Sequence, residues 1–212
     1  MRVNEQGRSM IEMLGVLAIV GVLSVGGIAG YSKAMNKFKT NKVIDQVNMI
    51  STNIRTLYSS QRSYEGLDNA LAIKTGVVPS EMYEAASGDV SEIINAFSGT
   101  VYITTGTHNG QAHAAYIIGF DGLPRASCVT AATTDWGGDV GSGFAAMYVD
   151  GELGARKGRE AALALSMDST EITPGANYAV PGDEEYGTPV SVITAQAVCV
   201  SDTDNAFALK YI

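Results

Sequence analysis

The chain has 212 residues, 14 Lys and Arg against 22 Asp and Glu, a formal net charge of -8 at pH 7, and only two cysteines. An acidic balance argues against direct nucleic-acid binding through phosphate neutralisation, which needs a basic surface. The one local basic cluster, Arg156, Lys157 and Arg159, is read as a solvated loop or helix end.

Residues 7–31 read GRSMIEMLGVLAIVGVLSVGGIAGY. From Met13 to Ser32 the run is apolar, and about 20 residues rising 1.5 Å each match the roughly 30 Å hydrocarbon core of a bilayer. Small residues let membrane helices approach closely, and Gly26 with Gly30 has the G-x-x-x-G spacing, a weak signal in so Gly-rich a run. Glu12 is the anomaly, because an acid in such a span costs roughly 2.5–3.5 kcal/mol at mid-membrane. A secretory signal is the rival reading, with Arg2 and Arg8 as its basic region and Gly27 and Ala29 before a cut, although the apolar run exceeds the usual length. A plain single-span anchor leaves Glu12 unexplained.

Helical periodicity continues past the span. Val43, Val47, Ile50, Ile54 and Leu57 fall at steps of four, three, four and three, one stripe along a helix. Between them Lys42, Asp45, Asn48, Ser51, Thr52, Asn53 and Arg55 are expected to face water or a neighbour. The spacing predicts a helix over 8–61, roughly 80 Å long, transmembrane over about 13–32 and amphipathic beyond. Lys33, Lys37, Lys39 and Lys42 follow the span while only Arg2 and Arg8 precede it, so charge counting alone would leave the C-terminal part in the cytoplasm.

With Gly7, Arg8 and Glu12 in this register, and Met13, Leu14, Gly15 and Val16 following, the sequence resembles the type IV pilin and pseudopilin family. The resemblance implies that residues 1–7, MRVNEQG, are a leader removed by a prepilin peptidase between Gly7 and Arg8. It also implies that Arg8 is then N-methylated, and that Glu12, fifth residue of the mature chain, meets the amino terminus of a neighbouring subunit during assembly. A carboxylate in low dielectric is tolerated when paired with a cation, so one charge pair would set the register between subunits. Arg8 departs from the apolar residue, often Phe, that the family usually has after the cut, and it offers Glu12 a second cationic partner. Pilins export their C-terminal part, and the family register is preferred to the charge count because a large translocated domain is a poor case for that rule.

About 150 residues follow the helix, enough for one head domain, 62–212, with a sizeable core. Cys128 and Cys199 are the sole candidates for an intramolecular disulfide, and their even count in an exported chain favours pairing over two free thiols. The bracketed region 128–199 is similar to the disulfide-delimited variable region of pilins; its length is more like class b, the short leader more like class a. In chain order, short helices are expected at Leu67–Lys74, stopped by Gly76 and Pro79, at Ser80–Ala86, opened by Ser80, and at Ser91–Phe97, closed by Gly99. Strands are expected at Thr100–Thr105, Ala114–Phe120 and Phe144–Val149. Leu123–Thr134 reads as a helix carrying Cys128, and Met167–Gly187 as a solvated loop. Thr188 and Pro189 read as the N-cap and first-turn proline of a helix toward Cys199, and Ala206–Ile212 as a last strand. One long helix and a mainly antiparallel sheet make an α+β plan, which agrees with the pilin fold.

Catalytic chemistry is not found. Asp139, Val140, Gly141, Ser142 and Gly143 lack the first glycine of a nucleophile elbow. His108 and His113 are five apart in a turn between strands, off the i, i+4 spacing of a zinc protease helix. Asp202, Asp204 and Asn205 fall short of a calcium-loop ligand series and read as a turn. No enzyme activity, metal or cofactor is expected. The reading is a structural subunit held in the inner membrane of a Gram-negative-type bacterium, then polymerised with itself by the pilus assembly machinery into an extracellular fibre. Adhesion, motility, DNA uptake and conjugation are the roles such a fibre serves. A minor pilin or secretion pseudopilin is the nearest alternative; a membrane-tethered or secreted periplasmic binding domain is the alternative of another class.

Overall fold

The computed structural model describes residues 10–83, 92–137, 142–151, 157–175, 177–185 and 187–212. It divides into two compact units, the boundary falling after Phe38. The first helix, α1, spans Met10–Leu57 without interruption. No Pro falls within it, and its interior glycines cost less than the gain from a continuous apolar and then amphipathic surface.

In the second unit the described strands are β1 (Ile93–Ile94), β2 (Thr100–His108), β3 (Gln111–Leu123), β4 (Phe144–Asp150), β5 (Tyr178–Ala179) and β6 (Asn205–Tyr211). They form one sheet in the order β1-β2-β3-β6-β4-β5, every neighbouring pair antiparallel. The α+β plan is thus present, and each expected strand is there, somewhat longer than its apolar core. The last strand in the chain, β6, lies in the middle, pairing Leu209 with Ile118 on one side and Met147 on the other.

Strand periodicity sends alternate side chains to opposite faces. Phe207, Leu209 and Tyr211 join Tyr116, Ile118 and Phe120 in the larger core cluster, with Val43, Val47, Ile50 and Ile54 of α1. Ala206 and Ala208 join Ile117, Ala146 and Tyr148 in a second cluster on the other face. That face is covered by α4 (Lys157–Ala164), whose Ala161 and Ala162 are fully buried there with Leu165. The head therefore has three layers, α1, sheet and α4. Close seating of α4 depends on Gly119 of β3: a Cβ built there would lie 2.1 Å from the carbonyl oxygen of Gly158. Only a hydrogen at this position leaves room for the helix backbone.

Several expectations are corrected. The apolar stripe of α1 ends on Tyr58, not on Leu57: Leu57 is exposed, whereas Tyr58 is buried with its ring 5.3 Å from that of Tyr64. Ser91–Phe97 is not a helix: Ser91 lies outside the described residues, Ile93–Ile94 is a strand, and the chain then turns at Asn95. The Asn95 side-chain oxygen accepts from the amides of Phe97 (2.8 Å) and Gly99 (3.2 Å), a local bond that competes with helix. Ser80–Ala86 reduces to a 3-10 turn at Ser80–Met82, residues 84–86 lying outside the described ones. Leu67–Lys74 starts later, as α2 (Asn69–Lys74), where Asp68 accepts the Leu71 amide as N-cap. The expected helix at Leu123–Thr134 is α3 (Arg125–Ala132).

The helix before Cys199, α5 (Val192–Val198), is capped by Ser191, whose Oγ accepts from Thr194 N at 3.1 Å. Thr188 and Pro189 precede it: the chain bends there and continues through Val190, whose amide reaches Ala132 O at 3.3 Å. Within Met167–Gly187, expected as a solvated loop, lie a 3-10 turn at Ser169–Glu171 and β5, with Ile172 and Ala179 buried.

Candidate functional site

Gly7 and Arg8 lie outside the described residues. Glu12 stands in the first turn of α1, where the helix dipole favours a carboxylate. From this point α1 is long and apolar enough to cross a membrane, and none of its apolar window is buried within the subunit. Leu14, Val22, Leu23, Val25 and Ile28 are each about two-thirds or more exposed. Full burial of each such side chain is worth about 1.5–3 kcal/mol, so the surface requires lipid or other chains around it. Ser24 suits such surroundings, its hydroxyl donating to Val20 O at 2.7 Å and leaving no unsatisfied donor.

The second half of α1 is fastened to the head by polar bonds as well as by the apolar stripe. Ser51 Oγ and Tyr116 Oη are 2.6 Å apart, and Arg55 Nε donates to the same Oη at 2.9 Å. Arg55 also donates to Ser142 O (2.6 Å) and lies over the Tyr211 ring, 5.0 Å from its centroid. Burial raises the Tyr116 phenol above its usual range, so it stays a neutral donor and acceptor. Asn53 donates to Val77 O at 2.8 Å, and Thr40 Oγ1 meets Ser127 Oγ of α3 at 2.8 Å. Ser51, Asn53 and Arg55, expected to face water or a neighbour, thus bond to the head of their own chain. Burying Ser51 requires the partner that Tyr116 supplies.

Cys128 of α3 and Cys199 after α5 form a disulfide with a sequence separation of 71 and a Cα–Cα distance of 5.9 Å. Beside it, Asn205 is fully buried and its amide donates to Leu123 O (2.8 Å) and Ser201 O (2.7 Å) while accepting from Ser201 N (3.0 Å). Asp202 pairs with Arg125 at 3.2 Å in an exposed bridge, and Asp204 N donates to Ser201 Oγ. This acidic stretch is therefore turn chemistry leading into β6, as read. Of the other screened residues, His113 Nδ1 lies 2.8 Å from Thr105 Oγ1, and His108 Nε2 3.0 Å from Asn109 Nδ2, at the β2–β3 turn. Arg159 sits in α4 over the Tyr102 ring, with Arg156 outside the described residues. Residues 139–141 are outside as well, and Ser142 Oγ donates to Gly137 O. Among the described residues no group of three or more His, Cys, Asp or Glu is placed to hold a metal ion.

Three charged residues that the sequence reading did not single out organise the α4 side of the sheet. Asp121 accepts from Thr100 N and Thr100 Oγ1 (2.6 Å) of β2 and from Gly158 N (3.1 Å) in the first turn of α4. Asp168 accepts from Asn109 N (3.0 Å), Gly110 N and Thr170 N (3.1 Å), and these bonds hold its carboxyl down at about 2. Lys210 is buried, its Nζ donating to Thr107 O (2.8 Å) and Met167 O, and burial brings its ammonium down to about 8. A lysine in an alternating strand carries no sign of burial until α4 covers its face.

A family model described as PilS N terminal matches residues 37–208. The major structural subunit of bundle-forming pilus of Escherichia coli O127:H6 is 29% identical over 133 residues, 63% of this chain and 66% of that protein. The toxin coregulated pilin of Vibrio cholerae is 26% identical over 134 residues, 63% of this chain and 59% of that one. The chain thus matches just under two thirds of the length of these relatives. In three dimensions it is similar to the crystal structure of TcpA, a type IV pilin from Vibrio cholerae El Tor biotype, with a TM-score of 0.52 at 22% identity over 82% of this chain and 99% of the other. The match over most of the head, joined to a long apolar helix and a bracketing disulfide, means that the chain belongs to the PilS N-terminal family and has the fold of a type IV pilin.

Proposed function

We propose that this chain is the major structural subunit of a class b-like type IV pilus, polymerising with itself through α1 into a helical surface fibre. The observation that carries the reading is the apolar window of α1, wholly exposed in the subunit and headed by Glu12 in the first turn. Lipid covers that window before assembly and α1 helices of other copies cover it afterwards. A prepilin peptidase cuts between Gly7 and Arg8, Arg8 is methylated, and Glu12 pairs with the amino terminus of a neighbouring copy. The unpaired carboxylate is penalised in the apolar fibre interior, so a subunit out of register is disfavoured. The inner membrane holds the subunit first, and the assembly machinery there delivers it to the fibre. The names of the relatives, a bundle-forming and a toxin coregulated pilus, support a fibre-forming role.

Mass spectrometry of the subunit recovered from sheared surface filaments tests this. A chain starting at Arg8, one methyl group heavier and dominant in the filament fraction, is expected; a start near Gly30 or Tyr31 overturns the reading. Glu12→Ala should still be cut but yield few filaments, and normal filaments from it would remove the charge pairing.

A further inference from the structure

The two outer strands of the sheet are only two residues long, Ile93–Ile94 on one side and Tyr178–Ala179 on the other. Beyond them, the strands they cover would present unpaired backbone groups, the usual template for adding a strand from another chain. On the β2 side the exposed stretch is met by an asparagine side chain, and on the β4 side by main chain. On the β2 side, Asn69 of α2 donates through Nδ2 to Val101 O (3.0 Å) and accepts through Oδ1 from Ile103 N (2.7 Å). Its amide supplies one donor and one acceptor, as a peptide unit of a further strand would. Farther along β2, Thr107 N donates to Ser166 O at 3.1 Å. On the β4 side, Val149 N donates to the backbone oxygen of Asn177 (2.9 Å), and Val149 O accepts from Asn177 Nδ2 (2.7 Å). There the main chain of Asn177 continues β5, and the side-chain amide only completes the rung that its backbone begins.

We propose that Asn69 closes the β2 edge of the head against strand addition by a second copy of this chain. The need for closure rests on the fibre reading, in which growth concentrates identical heads. The two-residue β1 alone leaves Ile103 N available; the Asn69 amide removes it. The closure belongs to the head itself, so its test stands or falls separately from the fibre reading.

The test uses the full chain in detergent micelles, compared as wild type, Asn69→Ala, Asn177→Ala and the double variant. Size-exclusion chromatography and thioflavin T fluorescence read strand-mediated oligomers, and non-reducing electrophoresis verifies the Cys128–Cys199 bond. Asn69→Ala and the double variant are expected to give several-fold more thioflavin-positive oligomer than wild type, with the disulfide intact, and Asn177→Ala to match wild type. Asn53→Ala, which removes an equivalent bond to Val77 O away from either edge, serves as the control for lost stability. Asn69→Asp keeps the acceptor for Ile103 N and places a carboxylate by Val101 O; an acid in the first turn of α2 favours folding, so this variant tests the β2 edge if the alanine fails to fold. It should form more oligomer than wild type. Asn69 variants as monomeric as wild type, or controls that oligomerise as much as they do, would overturn the proposal.

Discussion

Asp168 shows how one exposed carboxylate joins distant stretches of chain. It receives amides of Asn109 and Gly110 at the β2–β3 turn and caps the 3-10 turn Ser169–Glu171, tying the exit from α4 to the hairpin. Its carboxyl sits at about 2 against an ordinary 3.8, so the unfolded chain takes up the proton first as pH falls. The stability it supplies is complete above about pH 4 and is lost on the way to about pH 2. Thermal melts of wild type and Asp168→Asn should therefore differ most above about pH 4 and converge near about pH 2. Lys210 acts with the opposite slope at the alkaline end: its folded value of about 8 lies below the ordinary 10.5, so the unfolded chain holds more protons between them and the Lys210 contribution rises with pH across that window. Neither role was legible in the sequence, since an aspartate between Met167 and Ser169 and a lysine between Leu209 and Tyr211 look like ordinary polar positions.

Among the described α-helices, α4 was the one that sequence reading missed. Its basic start, Lys157 and Arg159, was read as a loop or helix end, and Gly158 argues against helix on propensity. Tertiary contact overrides that preference, because Gly158 and Gly119 let backbone approach backbone and Asp121 receives the Gly158 amide. Gly119→Ala places a methyl 2.1 Å from a carbonyl oxygen that moves only with its helix. Overpacking of this kind costs about 1–3 kcal/mol, and denaturant unfolding should show a loss at the upper end. Strands fared better than helices in the head. The alternation in Ala206–Ile212 has a period no helix shares and Phe144–Val149 is bounded by Gly and Asp-Gly turns, whereas the short helices turned on caps that several residues near Asn95 and Pro189 offered equally.

At the scale of the whole molecule, the disulfide and the second half of α1 share one core. Both Cys128 and Cys199 belong to the core cluster that receives Val47, Ile50 and Ile54. A bond enclosing some 70 residues restricts the unfolded chain by roughly 4 kcal/mol in the loop-entropy model. Cys128→Ser with Cys199→Ser should lower the unfolding free energy by about 2–5 kcal/mol. The spared Ser51–Tyr116–Arg55 bonds should keep α1 docked, read as retained protection of α1 amides in hydrogen exchange at low denaturant. What the sequence by itself determined were the features local in the chain: the apolar run, the anomalous acid at Glu12, the four-three periodicity after it and the paired cysteines. Each is a pattern of spacing or composition that needs no partner to be seen. Only the tertiary structure decided the strand order with β6 at the centre, the coverage of the second sheet face by α4, and the burial of Ser51 against Tyr116. Those depend on which surfaces meet across long stretches of chain, and a polar residue is buried or exposed according to the partner it finds there.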